Sequence, residues 1–151
     1  MQDDTLPDRI AALEDKLALK ELVDTFSILA DQKDTQAQTL LFTEDALVES
    51  YVNGNLVSAL RGRQQIGEAF AAYLSTFSTV YHHNGQQTVT VTGDSARGVS
   101  YCLVTLIGAQ NDQKVTTTSG VIYQDEYVRR AGHWLIAKRT STFSWQETRT
   151  E

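Results

Sequence analysis

The sequence predicts an α+β domain, with helices in the first half and an antiparallel sheet in the second. Apolar residues recur at three- and four-residue spacing over residues 8–31, as on one face of a helix. From residue 81 onward, long segments of alternating apolar and polar residues are separated by short turn signals, as in a meander of strands. Helices gathered on one face of such a sheet form an α+β domain.

Length and composition indicate one domain and exclude several classes of protein. The chain has 151 residues, 41% of them hydrophobic, so residues 1–151 are expected to form a single domain with one core. The net charge of −6 comes without a basic face, which argues against a nucleic-acid partner. No apolar run approaches the roughly 18 residues of a membrane span. We therefore expect neither nucleic acid nor membrane as a partner.

The cellular compartment is predicted from the cysteine count and the N-terminus. Cys102 is the single cysteine, so no internal disulfide can form. Residues 1–4 are Met-Gln-Asp-Asp and lack the basic-then-apolar order of a signal peptide. Both features favour a reducing, cytoplasmic location.

The first predicted helix covers residues 8–31. Thr5 is a candidate N-cap, and Pro7 suits the first turn because its missing N–H would be unpaired there. Asp31 falls at the C-terminal end of the buried face. That face is assigned to the apolar residues Ile10, Leu13, Leu17, Leu19, Leu22, Val23, Phe26 and Ala30.

The remaining elements follow from turn signals and periodicity. A short helix is predicted over residues 35–42, with Asp34 as its cap, and a third helix over residues 63–77. A hairpin is expected around Asn53-Gly54-Asn55, since asparagine and glycine accept positive φ. The polar tail, 146–151, is expected to be loose. Strands are predicted over residues 46–52, 56–61, 81–92, 96–109, 114–130 and 133–145.

Several phrases of the sequence, in their order and spacing, carry a family resemblance. They are Ala30-Asp31-Gln32-Lys33-Asp34, then His82-His83-Asn84-Gly85-Gln86, and finally Tyr123-x-Asp125-Glu126-Tyr127-x-Arg129-Arg130-x-Gly132-x-Trp134 closed by Lys138-Arg139. Together they resemble the SnoaL-like domain of the nuclear transport factor 2-like superfamily. The resemblance covers nearly the whole chain. It implies a cystatin-like cone, in which a curved antiparallel sheet carries three helices on its concave face.

Within this superfamily, the chain is similar to hexachlorocyclohexane dehydrochlorinase, scytalone dehydratase and bile-acid 7α-dehydratase. The resemblance implies that Asp31 pairs with His82, that Arg139 lines the pocket, and that Tyr51 polarises a substrate carbonyl. Other positions depart from those enzymes, so neither specific activity is carried over. The departures are Ala30 for a tyrosine, Ser100 for a histidine, Tyr123 for an asparagine and Phe26 for a lysine. Tyr51, Phe26, Ser100 and Tyr123 are the predicted substrate-binding residues.

These residue types support acid–base chemistry without a cofactor. Histidine titrates near neutral pH, and a carboxylate on one ring nitrogen orients the other nitrogen toward substrate. Arg139 could hold developing negative charge, because guanidinium stays ionised. The prediction is a lyase or isomerase that acts on a small, largely apolar cyclic molecule. No cofactor is expected, and no metal site, since neighbouring strand residues His82 and His83 point to opposite faces and cannot converge on zinc.

Other interpretations stay open at this point. The domain could bind a small molecule without catalysis, or could serve as an oligomeric scaffold. A homo-oligomer, dimer or trimer, is expected in either case. Asp31 could instead cap the following helix, Arg139 could be a structural ion-pair partner, and His83 could be the inward histidine. Strand alternation places Arg139 on one face with Leu135, Ala137, Ser141 and Phe143, and Trp134, Ile136 and Lys138 on the other.

Overall fold

A computed structural model describes residues 4–151. The expectation about residues 1–4 therefore lies outside the described residues, except for Asp4. Three helices and six strands follow one another along the chain. The helices are α1 (Leu6–Asp31), α2 (Thr35–Thr39) and α3 (Arg63–Leu74). The strands are β1 (Phe42–Val52), β2 (Asn55–Arg61), β3 (Thr79–Thr92), β4 (Ser95–Gln110), β5 (Gln113–Arg130) and β6 (His133–Thr150).

The first helix begins at a capping box and buries only its second half. The Thr5 hydroxyl accepts from the Asp8 N–H, and the Asp8 carboxylate accepts from the Thr5 N–H, so two orphan donors of the first turn are satisfied. The prediction that Ile10, Leu13 and Leu17 lie on the buried face was wrong. They are exposed, because the sheet packs against the opposite side of α1 and only from Leu19 onward is that side fully covered.

The six strands form one sheet in the order β2-β1-β6-β5-β4-β3. The predicted hairpin and four-strand meander are joined by a parallel pairing of β1 with β6, which the turn signals did not predict. The remaining pairs are antiparallel. The α+β class and the curved, unclosed sheet with helices of the first half packed on it are confirmed.

The C-terminal tail is part of the sheet. The expectation that residues 146–151 are loose was wrong, since β6 runs to Thr150, which pairs with Val115 near the start of β5. Gln146 Nε2 also donates to Ser119 Oγ at 3.1 Å. The β5–β6 ladder thus continues the sheet beyond the predicted end, and its hydrogen bonds hold the tail along its β5 side.

A bulge in β6 overturns the predicted alternation around Arg139. The β5–β6 register shifts where Glu126 pairs with Lys138 but Tyr127 pairs with Ile136, so Ala137 is an extra residue. One extra residue exchanges the inward and outward positions on either side of it. Ile136 and Arg139 are therefore both buried on the concave face, whereas Leu135 is not on the face of Arg139.

Two clusters fill the space between helices and sheet. The first cluster lies near the turn between β3 and β4 and packs the middle of α1 against α3 and the sheet. Its members include Leu19, Val23, Phe42, Ile66, Tyr127 and Ile136. The other joins the end of α1 and the end of α3 to the long strands through Ala30, Leu74, Val80, Cys102, Val104, Leu106, Val121 and Tyr123. The candidate site lies where the two clusters meet.

Candidate active site

A cavity of about 160 Å³ lies between the three helices and the concave face of the sheet. Its wall is mostly apolar, and five kinds of polar group interrupt it: an imidazole, a guanidinium, an amide, hydroxyls and phenols. The site thus has the usual make-up of a small-molecule pocket, an apolar wall with a few polar groups. The lining residues are Phe26, Ala30, Gln38, Val48, Ser50, Phe70, Tyr73, Leu74, His82, Val104, Leu106, Ser119, Val121, Tyr123, Arg139, Ser141 and Phe143.

The end of α1 meets the start of β3 through Asp31 and His82. The Asp31 carboxylate accepts the His82 backbone N–H at 2.9 Å, and Oδ1 lies 2.7 Å from His82 Nδ1. The short contact assigns the ring proton to Nδ1, which leaves Nε2 as the basic nitrogen. Asp34, not Asp31, caps α2, by accepting the Ala37 N–H at 3.1 Å.

β3 is also pinned to α1 two residues further along. The Ser27 hydroxyl donates to the Asn84 side-chain oxygen at 3.1 Å, and the Asn84 amide donates to Asp24 at 2.9 Å. Since His82 and Asn84 point to the same face of the strand, these bonds fix how the imidazole is presented. His83 points to the opposite, convex face and is exposed.

Burial holds the imidazole neutral. Burial lowers the pKa of His82 below its usual value, the hydrogen bond and charge of Asp31 act in the opposite direction, and the charge of Arg139 lowers it further. A lowered pKa means that the ring is unprotonated at neutral pH and can accept a proton.

Arg139 forms a second, fully buried ion pair with Asp125. Its Nε and Nη2 donate to the two carboxylate oxygens of Asp125 at 2.8 and 2.9 Å, a bidentate arrangement. The side chains are 1% and 0% exposed. The Tyr127 hydroxyl donates to the same carboxylate at 2.8 Å. Burial by itself would lower the pKa of Arg139, but the charge and hydrogen bonds of Asp125 outweigh it and keep the guanidinium ionised.

Two aromatic rings clamp the guanidinium and leave one nitrogen free. The Arg139 Cζ lies 4.2 Å from the centre of the Phe26 ring and 3.9 Å from that of Tyr123. A cation between two ring faces is stabilised by both quadrupoles. Arg139 Nη1 is buried and has no hydrogen-bond partner among residues 4–151. It is the donor that a bound molecule could use.

The predicted substrate-binding residues are placed differently from one another. Phe26 and Tyr123 line the cavity, whereas Tyr51 and Ser100 do not. On β1 the cavity faces Ser50, and Tyr51 points the other way with its hydroxyl 3.3 Å from Glu49, because successive strand residues alternate. The structure thus places Tyr51 away from the cavity, and its contact with substrate stays a prediction. Ser100 is buried on β4 and lies outside the lining of the cavity, so its assignment also stays a prediction.

Five polar residues that line the cavity were not predicted from the sequence, and Tyr73 of α3 is one of them. Ser50, Ser119 and Ser141 share their strand faces with inward residues, so alternation from Val48, Val121 and Arg139 could have found them. Gln38 gave no such signal, since it lies in a short polar helix. Its amide donates to the Phe26 carbonyl at 3.3 Å, and its own buried oxygen has no partner among the described residues.

Open grooves on the convex face are larger than the interior cavity but carry different chemistry. One, of about 450 Å³, is a trough of outward strand residues such as Thr88, Arg97 and Lys138. Arg97 and Glu126 of this groove are exposed to solvent, where interactions between charges are weak. The interior cavity, by contrast, has a mostly apolar wall and is lined by His82, which is paired with Asp31. Among the described residues, no helix is long and apolar enough to cross a membrane.

Comparison with known proteins finds sequence relatives and solved structures of the same fold. An uncharacterized protein of Mycobacterium tuberculosis, Rv2910c, is 27% identical over 139 residues, which is 91% of each chain. A Novosphingobium aromaticivorans protein provisionally named scytalone dehydratase superposes with a TM-score of 0.79 at 20% identity, over 90% of this chain and 88% of that one.

A dehydrochlorinase has the same fold. The hexachlorocyclohexane dehydrochlorinase LinA-type3 of Novosphingobium barchaimii superposes with a TM-score of 0.77 at 17% identity, over 93% of this chain and 94% of that one. At such identities the similarity establishes the fold. Family membership rests on a separate match, in which residues 11–140 fit the SnoaL-like domain. The resemblance noted in the sequence is thereby confirmed, and the chain belongs to the SnoaL-like domain family.

Proposed function

We propose that this protein is a cofactor-independent lyase or isomerase, in which His82 removes a proton from a small, largely apolar cyclic substrate. The observation that carries the proposal is the 2.7 Å contact between His82 Nδ1 and Asp31, on an imidazole that lines a mostly apolar cavity. Asp31 orients the ring and stabilises the imidazolium that forms after proton transfer. A base with a pKa near or below neutrality is suited to that step.

The free donor of Arg139 supports a role in holding negative charge. When a proton leaves the carbon beside a carbonyl, charge develops on the oxygen, and a buried donor at that point lowers the barrier. Because Asp125 already neutralises the guanidinium, the cavity does not carry a bare positive charge. The arrangement favours an uncharged substrate that becomes anionic only during the reaction.

The amide oxygen of Gln38 adds an acceptor to the same wall. A substrate with both a carbonyl and a hydroxyl would satisfy Arg139 Nη1 and Gln38 Oε1, the two buried side-chain atoms of the cavity wall without partners. Leaving such groups unpaired in a complex is costly, which selects for ligands that match them. A cyclic β-hydroxy ketone has this pattern. In its dehydration His82 takes the proton beside the carbonyl, the C–O bond to the hydroxyl breaks, and the His82 imidazolium returns the proton to the hydroxyl, so that water leaves and the imidazole is neutral again.

The size of the cavity restricts the substrate further. Apolar protein cavities of about 150 Å³ hold a benzene-sized ring. The cavity here is of that size, about 160 Å³. A single substituted ring therefore fits without rearrangement of the wall.

Proton removal can be tested before the leaving group is known. Cyclohexanone, 3-hydroxycyclohexanone and 3-cyclohexenone would be incubated with the protein in D₂O, and deuterium incorporation followed by NMR. The wild-type chain should accelerate exchange beside the carbonyl, and His82→Ala should lower the rate by about 10²–10⁴-fold. Conversion of the second or third ketone to 2-cyclohexenone would separate lyase from isomerase.

The matched control is His83→Ala, which removes the neighbouring imidazole on the opposite face of β3. It should leave exchange unchanged. Exchange that is equal in wild type and His82→Ala would overturn the proposal. Binding of the ketones with unchanged affinity in His82→Ala and no exchange in any variant would indicate a binding domain instead.

A further inference from the structure

The first half of α1 exposes an apolar stripe on the side away from the sheet. Leu6, Ile10, Leu13 and Leu17 are 66%, 47%, 62% and 70% exposed. Successive helix residues are 100° apart, so these four lie together, opposite the face on which Asp15 and Leu19 meet the domain. Asp15 on that inner face binds Arg129, with Oδ1 2.5 Å from Nη1. The helix therefore has two apolar faces, and its own domain covers only one.

The spacing of the stripe is that of a coiled-coil seam. The steps from Leu6 to Leu17 are four, three and four residues, an average near the 3.5-residue repeat that lets two helices stay in contact. Leu6 and Leu13 take the d positions of the heptad, and Ile10 and Leu17 the a positions. The stripe ends at Lys20 and Asp24, the next d and a positions, which form an ion pair at 2.6 Å.

The charges that flank the stripe select a partner. Arg9 and Lys16 fall at g positions, and Glu14 and Glu21 fall at e positions, each acid five residues after a base. In a parallel pair of identical helices, each g residue faces the e residue five positions later on the partner, so every such contact here joins opposite charges. An antiparallel pair would bring like charges together. Within residues 4–151, none of the four forms an ion pair.

We propose that two copies of this chain associate through parallel pairing of residues 6–17 of α1. Leucine at d with isoleucine at one a position favours two strands over three. The capping box at Thr5 already fixes the start of the helix, so pairing does not have to order it first. Four aliphatic side chains from each copy bury less area than a standard interface, and the dimer dissociates on dilution.

This inference is independent of the proposed function. The seam lies on the outer face of α1, and the cavity lies on the inner face, where Phe26 contributes to the wall. Loss of catalysis in His82→Ala would leave the dimer intact, and loss of the dimer would leave the Asp31–His82 contact in place.

Sedimentation equilibrium over a hundredfold range of protein concentration tests the pairing. Wild type should show a monomer–dimer equilibrium, and the double variant Leu13→Glu, Leu17→Glu should weaken it by about tenfold or more. Ile28→Glu is the matched control, because Ile28 is an exposed aliphatic residue of the same helix beyond the end of the stripe. It should leave the equilibrium unchanged, and circular dichroism should show the same fold in all three.

Charge variants test the partner and its direction without touching the stripe. One double variant carries Arg9→Glu and Lys16→Glu, and a second carries Glu14→Lys and Glu21→Lys. Each should self-associate more weakly than wild type, because like charges then face each other. An equimolar mixture of the two double variants should form heterodimers. Leu17→Cys should form an intermolecular disulfide, since residues at one a position meet in a parallel pair. In an antiparallel pair they would be roughly 16 Å apart.

Three results would overturn the inference. A wild-type chain that is monomeric throughout has no such interface. A dimer that survives Leu13→Glu, Leu17→Glu but is lost in Leu103→Glu uses the convex face of the sheet, where Leu103 is exposed. Absence of the Leu17→Cys crosslink in a chain that does dimerise excludes the parallel arrangement.

Discussion

Two carboxylates lie behind the cavity wall, and each holds one basic side chain that lines it. Asp125, on β5, is fully buried and holds Arg139 through two hydrogen bonds, with a third from Tyr127. Asp31, at the end of α1, keeps 27% of its side chain exposed and holds His82. The difference teaches how one pocket can contain a fixed charge and a movable proton. Loss of a proton from Arg139 would leave the Asp125 carboxylate charged and unpaired in the interior, whereas the Asp31 carboxylate is partly solvated when His82 is neutral.

Truncation of Asp125, the buried acid, should have the largest effect on the free energy of unfolding. Asp125→Ala leaves the Arg139 guanidinium buried without its counter-charge, so we expect a loss of about 3–5 kcal/mol in the free energy of unfolding. Chemical denaturation followed by fluorescence of Trp134 and Trp145 would measure it. The control is Glu49→Ala, which removes the carboxylate 3.4 Å from Lys138 on the same sheet. The two side chains of that pair are 18% and 40% exposed, so the change should cost under about 1 kcal/mol.

Equal costs for Asp125→Ala and Glu49→Ala would contradict the contrast between the buried and the exposed pair. The double variant Asp125→Leu, Arg139→Met should recover much of the stability, because a buried ion pair replaced by apolar side chains of similar size is often neutral. The same double variant should remain inactive in ketone exchange if Arg139 holds the developing charge.

Neutralising the acid at the rim should change activity far more than stability. Asp31→Asn keeps an oxygen that can accept the His82 backbone N–H, so the free energy of unfolding should change by about 1 kcal/mol or less. It no longer stabilises the imidazolium, and ketone exchange should fall by about 10²-fold. A variant as active as wild type would show that the contact only anchors β3 to α1.

The smallest predicted effect is a shift in pH dependence. Because burial lowers the pKa of His82, exchange should be constant at neutral pH and fall on the acid side with a midpoint below about 6.5, the value of free imidazole. Asp31 raises that pKa, so Asp31→Asn should move the midpoint to still lower pH. NMR titration of the His82 ring, assigned with His83→Ala and His133→Ala variants, would measure both midpoints.

Stability should depend on the same group with a definite sign. The unfolded chain binds the His82 proton more tightly than the folded chain, so protonation favours unfolding. The contribution is fully present above about pH 6.5 and is lost as the pH falls through the lower, folded pKa of His82. A titration midpoint of His82 above about 6.5, the value of free imidazole, would contradict the expected pH dependence of both exchange and stability.

Much of the fold was predictable because its signals are local. The Thr5 capping box, the Asp34 cap and the turn at Asn53-Gly54 each depend on neighbouring residues, and all occur as expected. The parallel junction between β1 and β6 was not predictable in this way, since no residue near either strand encodes the direction of a partner so distant in sequence. Phe26 and Tyr123 were foreseen at the cavity through the family resemblance, and Gln38 was not.

By itself, the sequence determined the α+β class, the order of helices and strands, and the family, because caps, periodicity and motif order are properties of short segments and their spacing. The tertiary structure decided which faces are covered. A single extra residue at Ala137 turned Arg139 inward, and strand alternation turned Tyr51 away from the cavity. Helical spacing revealed apolar residues at Ile10, Leu13 and Leu17, but only packing shows that the domain leaves them exposed.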